Sequence, residues 1–238
     1  MRWDELTREE LKELLPEAVV VVPTGATEQH GPYLPTGTDA MSVTAVVERA
    51  TQGDFPRPVI VTPTVSVGSS DHHFPFGGTL SLSSETYIAV IMDLARSIVT
   101  GGGRRMVLVN GHGGNQGPNM TAAAAATNTY EIAVAIANYW DLLPPLTDGP
   151  PVPGHAGGFE IGMMHALRPE LVRPVPHREL PAPFVEPAGF TVFTGSYWHD
   201  MNGHTDSGEN VTPEQGREWL ETIVAALTDR LTELARTL

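Results

Sequence analysis

The sequence predicts an α/β protein with a mostly parallel central sheet flanked by helices on both faces. Three observations predict it. Short, wholly apolar runs rich in β-branched residues recur, as at Val19, Val20, Val21 and Val22; such runs mark strands buried on both faces. Segments with helical spacing of apolar residues separate them, which is the alternation of a parallel sheet. A chain of 238 residues with 41% hydrophobic content has enough apolar side chain for one large core.

The elements follow in order. Thr7 and Glu10 make a capping-box pattern ahead of Leu11, Leu14 and Leu15, predicting a first helix over 7–15. Residues 18–22 read as a buried strand, 23–38 as a long loop, and Asp39 opens a helical pattern through Val43, Val46, Val47 and Ala50. A second strand is predicted at 59–61 and a short one at 79–82. Ile88, Ile91, Met92, Ala95 and Ile98 give a helix over 84–100, closed by Gly101, Gly102 and Gly103. Strands at 106–109 and 132–136 bracket a Gly-rich turn, 111–117, and a helix, 120–127. Residues 141–153 form a loop with five prolines, 159–167 a helix, and 169–187 a Pro-rich irregular stretch. The chain closes with an amphipathic helix over 214–238, with Trp219, Ile223, Ala226, Leu227, Leu231 and Leu234 on one face. No internal repeat is present, and a single domain over 1–238 is the simplest organisation.

Composition removes several classes of function. There is no cysteine, hence no disulfide framework, thiolate nucleophile or Cys-based metal site. The formal charge of -14 argues against binding the nucleic-acid backbone or an anionic membrane. Lys12 is the only lysine, which leaves almost nothing for Schiff-base or P-loop chemistry. No apolar run approaches the ~20 residues needed to span a bilayer. The charged N-terminal segment is not a signal peptide, so a cytoplasmic protein is expected.

Polar residues gather just after two predicted strands. Thr24-Gly-Ala-Thr-Glu28-Gln-His30-Gly-Pro and then Asp39 follow the first; Asn110-Gly-His112-Gly113-Gly114-Asn115 follows the strand at 106–109. The functional crevice of an open α/β sheet lies at the carboxyl ends of its strands. A third group, His155-Ala-Gly-Gly-Phe-Glu160, lies between the proline-rich loop and a helix. Carboxylate and imidazole ligands suit zinc or manganese. In extended backbone Glu28 and His30 point the same way, roughly 6.5 Å apart, which suits ligands of two ions about 3.5–4 Å apart. Asp39, at a helix start, could bridge both. Glu28, Asp39 and Glu160 carry about -3 against +4 for two divalent ions, and a bridging hydroxide, available near neutral pH, would balance the site.

These segments resemble the creatininase (creatinine amidohydrolase) family. The resemblance is carried by Glu28-Gln-His30-Gly-Pro-Tyr-Leu-Pro-x-x-Thr-Asp39, Asp71-His72-His73-Phe-Pro-Phe-Gly-Gly-Thr79, Asn110-Gly-His112-Gly-Gly-Asn115, His155-Ala-Gly-x-x-Glu160 and Thr212-Pro-Glu-x-Gly216. It implies a two-metal amidohydrolase on a three-layer α/β fold, assembled as a homohexamer. It also implies two divalent ions, zinc and/or manganese or else iron, and a small-molecule substrate. Carried over by position, Glu28, Asp39 and His112 would hold one metal, and His30 and Asp39 the other. Creatininase has a Glu two residues after the histidine of its Asn-Gly-His segment; Gly114 stands here, so Glu160 is the natural fifth ligand and strict creatinine specificity is in doubt.

The reaction expected on this basis is cleavage of a C–N amide-type bond by a hydroxide shared between the metals. His155 is expected to serve as proton shuttle and Glu160 to act as ligand and catalytic carboxylate; His72, Gly113 and Gly114 would contact substrate. His72 and His73 also admit a reading as ligands, or as lining of the pocket or a subunit contact. Two alternatives accompany this reading: a peptidase of the same family that trims a small peptide, and a non-catalytic, metal-stabilised oligomer that binds a ligand.

Overall fold

The structure is a computed structural model describing residues 1–147, 149–174, 186–192, 194, 196–208 and 211–238. Four strands, β1 (Val19–Thr24), β2 (Val59–Val61), β3 (Arg105–Asn110) and β4 (Ala133–Asn138), form one sheet in the order β2-β1-β3-β4. All pairs are parallel. Between and after them come α1 (Arg8–Leu14), α2 (Thr38–Ala50), α3 (Ser84–Thr100), α4 (Gln116–Tyr130), α5 (Gly158–Leu167), the short α6 (Tyr197–Asp200) and α7 (Pro213–Thr237).

Strand alternation sorts the core into two layers. Val19, Val21, Val107 and Val109 pack with residues of α2, α5 and α7, including Val43, Phe159, Trp219 and Leu227. Val20, Val22, Met106 and Leu108 face the other way, onto Ile91 and Ile98 of α3 and Ala122 and Ala126 of α4. Both faces of β1 and β3 are therefore dry, as the apolar runs require, and helices cover the sheet on both sides.

The register aligns the strand ends. Thr24 pairs with Asn110 and Asn110 with Asn138. Their side chains are linked as well: Thr24 Oγ1 lies 3.3 Å from Asn110 Oδ1, and Asn110 Nδ2 donates to Asn138 Oδ1 at 3.0 Å. The sheet thus ends in a polar row on one edge, and the loops leaving that edge carry the chemistry.

Local chemistry explains most boundaries. Thr7 and Glu10 close a capping box on α1, and Thr212 and Gln215 close another on α7, with Pro213 in the first turn. The structure departs from expectation in a few places. Residues 79–82 form no strand; Leu80 makes a lone antiparallel bridge to Thr27. Helix α4 is longer than the predicted 120–127 because its exposed Asn and Thr positions hide the period, and it ends where Glu131 turns left-handed at φ 53°. Residues 71–76 form a 3-10 helix, Asp71–Phe76, where no element was predicted. Of the Pro-rich stretch at 169–187, residues 175–185 lie outside the described residues. Among the described residues no helix is long and apolar enough to cross a membrane.

Candidate metal centre

Three segments meet at the carboxyl edge. The loop after β1 brings Glu28 and His30; the first turn of α2 brings Asp39; the turn after β3 brings His112. The loop before α5 adds His155, and the first turn of that helix adds Glu160. A helix N-terminus favours a carboxylate, and Asp39 and Glu160 each occupy one. The β1 loop lies so close to α2 that a Cβ at Gly25 would sit 2.6 Å from Ala40 Cα. That contact sets Glu28 beside Asp39.

The carboxylate of Asp39 is shared between two imidazoles. Its Oδ1 is 3.1 Å from His30 Nε2, and its Oδ2 is 3.0 Å from His112 Nδ1. Glu160 Oε1 lies 3.6 Å from the same His30 nitrogen, while its Oε2 accepts from Ala156 N–H. Glu28 Oε1 is 3.3 Å from His112 Nδ1. Two poles result: Glu28, Asp39 and His112 at one, and His30, Asp39 and Glu160 at the other.

Each of these imidazoles has its far nitrogen on a backbone carbonyl. His30 Nδ1 is 3.1 Å from Glu28 O, and His112 Nε2 is 3.1 Å from Ser69 O. A carbonyl only accepts, so those nitrogens carry the hydrogen. In a neutral ring the nitrogen facing the site is then a lone pair set against carboxylate oxygen, an arrangement that a bound cation, or a proton on the ring, relieves. Glu28 is wholly buried, yet neither of its oxygens, nor Asp39 Oδ2, accepts a hydrogen bond from a described residue. Buried carboxylates are ordinarily paired or bound to metal. The donor set, two histidines and three carboxylates, suits zinc or manganese.

Electrostatics agree. Burial disfavours charge on His30, but Glu160 and Asp39 outweigh it and raise its pKa well above the ordinary value. Burial also opposes charge on His112, and Glu28 and Asp39 raise it well above normal. Burial would raise Asp39, yet His30 and His112 hold it below the ordinary carboxylate range. Glu28 is likewise lowered against its own burial, chiefly by His112. Glu160 goes the other way, because burial exceeds the pull of His30.

Other residues complete the site. His155 Nδ1 and His73 Nε2 each approach Glu28 Oε1 to 3.4 Å, and the two rings stack with centroids 4.1 Å apart. His73 is buried, whereas His72 is exposed at the rim, stacked on His112 at 5.9 Å. Gly113 has open space around it; a Cβ at Gly114 would sit 2.2 Å from Ser69 O and 2.5 Å from His112 Nε2. A glutamate therefore does not fit at 114 on this backbone. These groups open onto a cavity of about 110 Å³, whose outer wall includes Trp140, Pro153 and Trp198. A larger open groove of about 560 Å³ runs along the outside of α2 past Thr44 and Arg49 and contains none of the cluster; the titratable groups, not the volume, mark the site.

Sequence reasoning missed four supports. Asn110 holds the His112 backbone, donating to its carbonyl at 2.8 Å and accepting its N–H at 3.1 Å. Thr205 Oγ1 accepts the His155 N–H at 2.7 Å. Asp206 Oδ1 accepts Gly158 N–H at 2.8 Å at the start of α5. Gln29 touches both His73 and His155. The period-2 alternation that aligned Glu28 with His30 also sends Gln29 the other way, and that was the available signal.

Fold and site together describe an α/β protein with a buried cluster of imidazoles and carboxylates at the carboxyl edge of its sheet that could hold metal. Known proteins agree. The chain matches the creatininase family, described as creatinine amidohydrolase, over residues 4–231. It is similar to the creatinine amidohydrolase of Pseudomonas putida, 28% identical over 242 aligned positions covering 91% of this chain and 90% of that protein. It is also similar to a mycofactocin precursor peptide peptidase of Mycobacterium tuberculosis (strain ATCC 25618 / H37Rv), 39% identical over 105 residues. That match spans only 41% of this chain and 41% of the relative's length. Among solved structures, a manganese creatininase superposes with a TM-score of 0.83 at 26% identity, covering 98% of this chain and 97% of that one. The chain belongs to the creatininase family.

Proposed function

We propose that the chain is a binuclear metal-dependent amidohydrolase that cleaves a C–N amide-type bond in a small molecule. The observation that carries this is the pair of buried imidazoles, His30 and His112, whose tied far nitrogens leave lone pairs facing under-bonded carboxylates. Glu28, Asp39 Oδ2 and His112 Nδ1 would hold one ion; His30 Nε2, Asp39 Oδ1 and Glu160 would hold the other. Such ions supply Lewis acidity and lower the pKa of water toward neutrality. His155, beside Glu28 and facing the cavity, is the group placed to pass a proton between the attacking water and the leaving nitrogen. Trp198, with its ring 5.1 Å from that of His155, limits access of bulk water.

The cavity favours a small, uncharged or cationic amide such as a cyclic amide or formamide. Among the described residues no Arg or Lys lines it. The second reading is trimming of a small peptide, favoured by the similarity to mycofactocin precursor peptide peptidases. The test begins with metal analysis of protein purified without chelator, with about two divalent ions per chain expected. Turnover of creatinine, formamides and short peptides is then compared with and without added zinc or manganese. Each ion at 100 times its Kd should stabilise the fold by about 2.7 kcal/mol over the stripped protein, roughly 5–11 °C in Tm per ion for a domain of this size. Full turnover by metal-free protein would overturn the proposal.

A further inference from the structure

Gln29 sits behind the centre and is used by none of the chemistry above. Its side-chain oxygen accepts Gly31 N–H at 2.9 Å, and its nitrogen donates to Gly203 O at 2.8 Å. Those two backbone groups fix which end of the amide is which. One amide hydrogen remains. Two imidazole nitrogens lie within its reach, His73 Nδ1 at 3.0 Å and His155 Nε2 at 2.9 Å. The backbone carbonyl of Gln29 lies 2.9 Å from that same His155 Nε2.

One assignment satisfies all four groups. The carbonyl takes a hydrogen from His155 Nε2, and the remaining amide hydrogen goes to His73 Nδ1. Giving that hydrogen to His155 instead leaves both the Gln29 carbonyl and His73 Nδ1 buried without a hydrogen, which buried polar groups avoid. The satisfied arrangement makes both stacked rings Nε2–H tautomers that turn opposite nitrogens toward Glu28. Toward Glu28 Oε1, which both approach at 3.4 Å, His73 presents an N–H and His155 a lone pair.

We propose that Gln29 is a positioning residue that locks His73 and His155 in the same Nε2–H tautomer with opposite nitrogens toward Glu28, so that His73 steadies the Glu28 carboxylate while Nδ1 of His155 is kept bare as the proton-accepting atom. The functional half of this rests on the proton-transfer reading of His155; the tautomers do not. The division of labour is simple. The Gln29 backbone sets His155, and its side chain sets His73 and braces the loop at Gly203. Since the rings stack, loosening one loosens the other.

The test reads tautomers directly, by imidazole ¹⁵N NMR of the zinc-loaded protein, with His73→Gln and His155→Gln used to assign the signals. The wild type should show His73 protonated at Nε2 and His155 at Nε2. Gln29→Glu puts an acceptor where the amide donated, so His73 should switch to an Nδ1–H ring while His155 keeps its form. Gln29→Met should broaden the His73 signal and lower kcat by about 10- to 100-fold, with KM and bound zinc little changed; Gln29→Asn should recover part of the loss if its amide reaches His73. Wild-type protein with His73 protonated at Nδ1, or a His73 ring unmoved in Gln29→Glu, overturns the inference. A switched His73 tautomer with unchanged kcat leaves the lock standing and rejects the steadying of Glu28 by His73 as a contribution to turnover.

Discussion

Two pairs of histidines share the centre, equally buried and a few ångströms apart, yet their environments push them in opposite directions. His30 and His112 have their far nitrogens on backbone carbonyls and face two carboxylates each. Their pKa values rise well above normal despite burial. His73 and His155 have their far nitrogens on Gln29 and face one oxygen, Glu28 Oε1, between them. Burial wins there: His73 falls to about 3, and His155 well below its ordinary value, with the neighbouring imidazoles adding to the effect. Depth is common to all four. The number of carboxylates within reach decides the sign of the shift.

Removing the shared carboxylate should break the comparison outright. Asp39→Ala takes an anion from both His30 and His112 and should abolish binding of both metals and nearly all turnover, while circular dichroism stays native. Retention of stoichiometric metal at wild-type turnover would show that Asp39 does not join the two poles. The next largest effect separates the pairs. His155→Ala should leave metal content intact and slow turnover by roughly 10²–10⁴-fold, measured as kcat on whichever amide the screen identifies. Loss of metal in that variant would move His155 into the cation-holding pair.

The sequence exposed one pair far better than the other, for physical reasons. Glu28, His30, Asp39 and His112 follow buried strands or open a helix, so the direction of the chain places them at one edge of the sheet before any coordinates are known. Glu160 and His155 were legible through their spacing in the resemblance rather than from the strand pattern. His73 was not separable from His72. Adjacent residues in a segment without periodicity give no sign of which faces in, and only the 3-10 turn at Asp71–Phe76 buries one and exposes the other. Thr205 and Asp206 lie some fifty residues beyond the groups they hold, and no local rule reaches that far. The sheet itself was legible from its apolar runs, but β1 and β3 extend past them to Thr24 and Asn110, because those polar ends pair with each other instead of with water.

That pairing gives the subtlest way to sharpen the contrast. Asn110 is buried, and among the described residues its amide grips the His112 backbone, Asn138 and Thr24 and no carboxylate. Asn110→Ala should therefore act on one pole alone. The buried His112 N–H loses its acceptor, which costs on the order of 1–3 kcal/mol of stability, and the ring is no longer held against Glu28 and Asp39 Oδ2. Support of this kind is typically worth 10- to 100-fold in metal affinity. In a two-site metal titration the weakening should fall on one ion, while the site built on His30 and Glu160, anchored by Glu28 O and Ala156 N–H, keeps its affinity. Equal weakening of both sites would mean that the two poles move as a unit and that Asp39 couples them more tightly than the backbone separates them.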